Sequence, residues 1–206
     1  KGIFTSDYGI NIYRGCTHGW IYCDSRSDVY QFNHKFEDIE VKENAVELLK
    51  KELIKRKPFM VVTGAMTDPY VPIEKRLQNV RKCLEVINRY GYGFACLTKS
   101  DLILRDLDLL KKINEKAKAV VQITLTTADD DLCRIIEPNV CPTSKRVEVL
   151  KKLNENNIPA VVWLSPILPY INDTEDNINS ILDYCVDTNV RGVLNLDMGL
   201  SLRKGN

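Results

Sequence analysis

Short apolar runs alternate along this chain with longer amphipathic stretches, and that alternation limits the fold more than any other feature. The strand candidates are residues 10–13, 59–63, 93–98, 119–125, 160–165 and 192–196. Most are apolar throughout, as expected of parallel strands covered on both faces. Helical patterns lie between them. Ile73, Leu77, Val80, Leu84 and Ile87 recur at three- and four-residue steps and predict one helix face. Ile103, Leu107, Leu110 and Ile113 repeat the pattern, as do Val147, Leu150 and Leu153, then Ile178, Ile181, Leu182 and Cys185. Asp101 and Asp173 are candidate N-caps. Residues 43–57 read as a charged helix stopping before Pro58, with Lys55, Arg56 and Lys57 at its solvated end.

Strict strand–helix alternation means a parallel α/β sheet. Right-handed crossovers leave an open doubly wound sheet or a barrel-like curl. No glycine-rich dinucleotide fingerprint follows the first strand, so the expected fold is a partial (β/α)6 TIM-type barrel. In such a fold chemistry gathers at the C-terminal ends of the strands.

A chain of 206 residues can bury one sizeable core, and residues 1–206 read as a single domain. The absent initiator methionine and the ending Arg203-Lys-Gly-Asn206 raise the expectation of a fragment truncated at its C-terminus. A net charge of +1 gives no sign of a general nucleic-acid-binding surface, although a local patch stays open. No run is long enough for a transmembrane helix, and no secretory signal fits. Seven cysteines, an odd number spread through such a chain, point to a reduced, cytoplasmic setting. Cys83, Cys96 and Cys185 read as small core hydrophobes.

The strand ends carry the chemistry. After the first comes Tyr13-Arg-Gly-Cys16-Thr-His-Gly-Trp20-Ile-Tyr-Cys23. By spacing alone, Cys16 and Cys23 are a weak motif and are compatible with two metal-free loop cysteines. With His18 they also match the chemistry of a zinc site, two thiolates and an imidazole. After the second strand, Gly64-Ala65-Met-Thr-Asp68-Pro-Tyr70-Val-Pro72-Ile-Glu74 reads as a turn entering a helix. Lys99 and Ser100 follow the third strand, where a lysine can pair with a carboxylate or stay exposed. Gln122, Thr124 and Thr126 share one face of the fourth strand and need polar partners if buried. Glu137-Pro138 and Arg146 come next. Ser165-Pro166-Ile-Leu-Pro169-Tyr-Ile-Asn172-Asp173 is a proline-stiffened loop before a helix, and Asp197 and Met198, after the last strand, are candidates to border a substrate.

With Trp20 read as a replaced cysteine, the first loop becomes Cys-x3-Cys-x2-Cys and resembles the cluster loop of radical S-adenosylmethionine (radical SAM) enzymes. The segments Asp-Pro-Tyr-x-Pro-x-Glu, Leu-Thr-Thr…Glu-Pro…Arg and Pro-Ile-x-Pro-x-Ile-Asn-Asp resemble the subgroup related to spore photoproduct lyase. The resemblance runs from Tyr8 to Leu202. It implies a [4Fe-4S] cluster on Cys16 and Cys23, with Trp20 in the third ligand's place. It implies S-adenosylmethionine as cofactor, with Tyr22, Ser165 and Pro166 near the adenine and Gly64, Ala65 and Asp68 near the methionine amino group. Lys99 and Ser100 would face its carboxylate, and Gln122 and Thr124 its ribose. It further implies an external electron donor such as a flavodoxin or ferredoxin, and a 5′-deoxyadenosyl radical acting on a substrate the sequence does not name. Alanine at position 65 stands near where spore photoproduct lyases carry a hydrogen-donating cysteine, so thymine-dimer repair is not expected. The competing expectation, motivated by Trp20, is a cluster-free, catalytically silent module that binds S-adenosylmethionine, a nucleoside or a partner.

Overall fold

The computed structural model of the chain describes residues 8–196. Strands β1 (Tyr8–Gly9), β2 (Tyr13–Arg14) and β3 (Glu40–Val41) precede helix α1 (Ala45–Lys55). Then come β4 (Met60–Thr63), α2 (Glu74–Leu77), α3 (Asn79–Tyr90) and β5 (Gly93–Thr98). A 3-10 segment, Asp101–Asp106, runs into α4 (Leu107–Lys116) and β6 (Ala119–Thr124). The remaining elements are α5 (Asp130–Ile136), α6 (Thr143–Glu155), β7 (Ala160–Trp163), α7 (Glu175–Asp187) and β8 (Val193–Leu194).

Six strands form one sheet in the order β1-β4-β5-β6-β7-β8, every neighbouring pair parallel. Each strand lies beside the sheet strand before it in the chain. A doubly wound sheet reverses direction at a switch point, and this order has none. The sheet is therefore wound one way, as in a partial (β/α)6 barrel. Strands β2 and β3 form a separate antiparallel pair. Sheet residues Val61, Phe94, Cys96, Val121, Ile123 and Val162 are buried against helix residues Leu84, Ile87, Leu110, Ile113, Leu150, Leu153 and Ile181. Each such aliphatic side chain contributes roughly 1.5–3 kcal/mol on burial. Cys83, Cys96 and Cys185 sit in this core, as the sequence predicts.

The structure corrects several boundaries. The first sheet strand is Tyr8–Gly9, extended by the Ile10 N–H bonding to Val62 O at 2.9 Å. Ile12 and Tyr13 lead instead into the antiparallel pair and are buried there. The helix predicted across residues 73–87 is two helices, broken at Gln78 with φ 54°. The buried Glu74 carboxylate accepts from Asn79 N at 2.9 Å and Val80 N at 3.2 Å and so caps the second helix itself. Ser100, not Asp101, caps the Asp101–Asp106 segment, accepting from Leu102 N. Thr174, not Asp173, caps α7, accepting from Asn177 N. Leu182 faces solvent, while Ile181 and Cys185 make the buried side of α7. Asp197 and Met198 lie outside the described residues.

Candidate functional site

The loop after β2 lies across the C-terminal end of the sheet. Glycine makes its tight entry possible. Gly15 has φ +84°, and a Cβ there would stand 2.5 Å from Phe36 O. The Cys16 N–H bonds to Phe36 O at 2.9 Å, and Arg14 Nη2 donates to Tyr30 O and Gln31 O at 2.7 and 3.0 Å. Cys16 is buried and Cys23 half-buried, both as free thiols. Burial raises the Cys23 pKa.

Between the cysteines, His18, Trp20 and Tyr22 alternate, and each meets the chain that follows a different sheet strand. His18 Nδ1 stands 3.4 Å from Asp68 Oδ2, beyond β4. Trp20 lies over Lys99, just beyond β5, with Nζ 3.4 Å from the ring centroid. Tyr22 donates its hydroxyl to Glu137 Oε1, beyond β6 and α5. The rings themselves are close: Trp20 stacks on Tyr22 at 6.2 Å and 26°, and lies 6.2 Å from His18.

Asp68 holds this end of the sheet together. It accepts from Tyr70 N at 2.8 Å, Thr98 Oγ1 at 2.7 Å and Lys99 N at 2.9 Å. Burial opposes its ionisation, but His18 and these donors outweigh burial and hold its carboxyl below the usual aspartate range. Burial likewise disfavours a charged His18. The Asp68 charge prevails and pushes the imidazole pKa up from 6.5 to about 9. Lys99 is buried, with Nζ 3.8 Å from Glu137 Oε1, and burial pulls its pKa below the ordinary lysine value. Beneath it Arg146 Nη2 pairs with Glu137 Oε2 at 2.5 Å. Arg146 also donates to Cys141 O at 2.9 Å and Thr124 O at 3.0 Å.

The contacts therefore bring Tyr22, Asp68 and Lys99 to one place, with Trp20 among them. Gly64 is buried directly after β4 and Ala65 is exposed. Ser100 is spent on capping its own 3-10 segment. Gln122 accepts from Trp163 Nε1, Thr124 is buried, and Ser165-Pro166 is a cis peptide just past β7. Asn172, which the sequence places only within a loop pattern, is a buried tie. Its Oδ1 accepts from Leu168 N at 2.5 Å, and its Nδ2 donates to Thr126 O at 2.7 Å and Pro166 O at 3.2 Å. Asn172→Ala orphans these groups and is expected to destabilise the domain by about 2 kcal/mol in urea unfolding. A loss below about 0.5 kcal/mol would contradict the tie, because that is the range of surface substitutions. A cavity of about 470 Å³ opens beside the loop, walled by His18, Tyr70, Lys75, Ser100, Arg105 and Cys141.

Sequence reasoning missed the structural roles of Glu137 and Arg146 and the partnership of His18 with Asp68. For Glu137 and Arg146 the visible signal was the Glu-Pro…Arg pattern of the resemblance; for His18 it was the every-second-residue spacing of His18, Trp20 and Tyr22. Among the described residues no group of three His, Cys, Asp or Glu side chains is placed to hold a metal ion. The zinc reading of Cys16, His18 and Cys23 thus finds no triad in the fold. A four-iron cluster needs soft thiolate ligands. Two thiols flanking an indole, itself seated on Lys99, do not make a three-thiolate set, so this loop as written does not fit the cluster.

A one-way parallel sheet carrying a cysteine loop across its C-terminal end is the arrangement expected of a radical SAM-type domain. The chain belongs to the radical SAM superfamily, whose sequence pattern matches residues 10–184. It is 37% identical over 170 residues to an uncharacterised protein of Methanocaldococcus jannaschii, covering 82% of this chain and 63% of that protein. A Mycobacterium bovis protein, also uncharacterised, is 27% identical over 205 residues, covering 95% of this chain and 59% of the relative. The chain thus spans less than two thirds of either relative's length. Among solved structures, a spore photoproduct lyase variant superposes with TM-score 0.70 at 17% identity, covering 91% of this chain and 53% of that one. Streptococcus suis SuiB bound to S-adenosylmethionine gives TM-score 0.63 at 14% identity, covering 92% and 40%. These two likenesses establish the shared fold. Among the described residues no helix is long and apolar enough to cross a membrane.

Proposed function

We propose that this chain is the core domain of a radical SAM enzyme whose cluster loop lacks one ligand, at Trp20. The observation that supports this reading most is the seating of the loop. His18, Trp20 and Tyr22 bring it onto the ends of three successive strand units, where the superfamily's chemistry belongs. Cys16 and Cys23 are the retained metal ligands in this reading, and a thiol at position 20 would complete the set. S-adenosylmethionine would bind at the same end of the sheet, near Tyr22, Asp68, Lys99 and Thr124. The working enzyme would draw electrons from a flavodoxin- or ferredoxin-type donor in the cytoplasm. Its substrate is open.

The test is anaerobic iron–sulfide reconstitution of the chain and of Trp20→Cys. The variant is expected to gain stoichiometric iron and sulfide, the matching absorption, and dithionite-dependent 5′-deoxyadenosine formation, while the parent gains none. If Trp20→Cys gains neither cluster nor cleavage, the enzyme reading of the scaffold fails. Trp20 itself favours a second reading, a silent module that binds the nucleoside cofactor without a cluster. Calorimetry of the iron-free parent with S-adenosylmethionine decides it, and an absence of binding heat would sink it.

A further inference from the structure

We infer that Trp20 is a latch that fastens the loop in the absence of metal, so that this chain is built to stand as an iron-free domain. The inference rests on reading the loop as a radical SAM loop, and goes beyond that reading in saying what holds it now. A metal-fastened loop gains its order from ligand bonds and loosens when the metal is absent. Here the fastening comes from ring and backbone contacts within the chain, which must outweigh the cost of polar loop atoms left buried without a hydrogen bond. The Trp20 Nε1 is buried without a hydrogen-bond partner, so the indole is held by its ring rather than by its polar atom. Lys99 Nζ lies 3.4 Å from the ring centroid and Tyr22 stacks beside it. A desolvated ammonium makes this contact stronger than the same pair in water, and Lys99 is only 4% exposed. Glu137, 3.8 Å away, holds the ammonium in place.

The loop backbone is tied down on either side of the latch. Ile21 N bonds to Ile136 O at 3.0 Å, Asn139 N to His18 O at 3.2 Å and Cys23 N to Trp20 O at 3.3 Å. At its two ends, Arg14 lies 4.5 Å over Phe32 and Arg26 lies 5.0 Å over Phe36. A thiol at position 20 could supply none of the ring contacts. The substitution that removes a cluster ligand therefore also installs a replacement for the cluster's mechanical role.

Hydrogen exchange of the loop amides, with thermal unfolding before and after iron–sulfide reconstitution, tests this. The parent is expected to take up no stoichiometric iron, and its loop exchange and Tm should be the same before and after. Trp20→Ala should speed exchange across residues 16–23 about tenfold, while Trp20→Phe, which keeps a ring over the ammonium, should stay within about threefold of the parent. Lys99→Met removes the cation and should match Trp20→Ala, which keeps the test open if the alanine variant fails to fold. Iron uptake by the parent with slowed loop exchange would overturn the latch, as would parent-like exchange in both Trp20→Ala and Lys99→Met. These rates do not depend on whether Trp20→Cys regains a cluster, so the two proposals can fail separately.

Discussion

Replacing Arg146 with methionine is expected to destabilise the domain by about 4 kcal/mol, since breaking a buried ion pair from one side strands a charge. Arg146 is 1% exposed and Glu137 is fully buried. Without the guanidinium, Glu137 keeps, among the described residues, the Tyr22 and Thr126 hydroxyls, the Cys133 thiol and the more distant Lys99. The carbonyls of Thr124 and Cys141 lose a donor as well. The orphaned carbonyls, each of a kind that costs roughly 1–3 kcal/mol, are part of that loss. Burial alone would raise the Glu137 pKa; Arg146, then Lys99, outweigh it and hold the carboxyl below the usual range. A carboxylate with a depressed folded pKa contributes stability above its unfolded pKa and loses it as pH falls through the folded value. The deficit of the variant should therefore shrink as pH drops below the ordinary glutamate range, which a pure packing defect would not do. Urea unfolding across pH measures both effects. Adding Glu137→Gln should restore part of the loss, because the stranded charge is gone. By contrast, Lys152 and Glu155 pair at 2.8 Å on the surface, and Lys152→Ala should change stability by less than about 0.5 kcal/mol. A deficit below about 1 kcal/mol for Arg146→Met would refute the buried-pair account, since it would match an exposed pair.

The sheet was legible because its inner strands are buried on both faces, so runs such as residues 93–97 are apolar throughout and stand out from the helices. The first strand was misplaced because Ile12 and Tyr13 are apolar for another reason: they are buried in the main core where the chain enters the antiparallel pair. The break at Gln78 was invisible because Val80, Leu84 and Ile87 keep a helical period of their own after it. Ser100 and Asp101 are both good caps by composition, and only backbone geometry selects Ser100. The same division holds for the site. Strand-end positions such as Asp68 and Lys99 follow from alternation alone. Their partners do not, because Tyr22 and Glu137, or His18 and Asp68, meet only once the sheet has curled. Gln122 shows the limit from the other side. Its placement on the polar face of the fourth strand could be read from sequence, but the Trp163 indole that engages it could not.

Gly64 carries the second large expectation, and three glycines of this chain supply a graded test. Gly64 has φ +98°, and a Cβ there would stand 2.1 Å from Leu97 O and 2.8 Å from Leu97 N. Both are backbone atoms of β5, which is registered against β4 through Thr63 and Cys96. Neither strand can yield without opening the ladder between them. Gly64→Ala is therefore expected to cost more than about 4 kcal/mol, in the range reserved for steric failure at a special backbone position, and to leave little folded protein. Gly91 closes α3 at φ +70° with nothing within 4 Å of a would-be Cβ. Alanine there meets conformational strain alone and should cost about 1 kcal/mol. Gly9, in β1, has neither a positive φ nor a neighbour within 4 Å, so Gly9→Ala should be neutral or stabilising by up to about 1 kcal/mol. The ordering of the three in urea unfolding separates contact from strain. Should Gly64→Ala unfold with the same midpoint as Gly91→Ala, the close approach to β5 has no energetic weight, and the glycine after β4 would then be free to serve a ligand rather than the sheet. If the predicted order holds, Gly64 keeps β4 and β5 close enough for Asp68 to reach Thr98 and Lys99, and the seat of the Trp20 ring depends on a hydrogen atom where any other residue has a carbon.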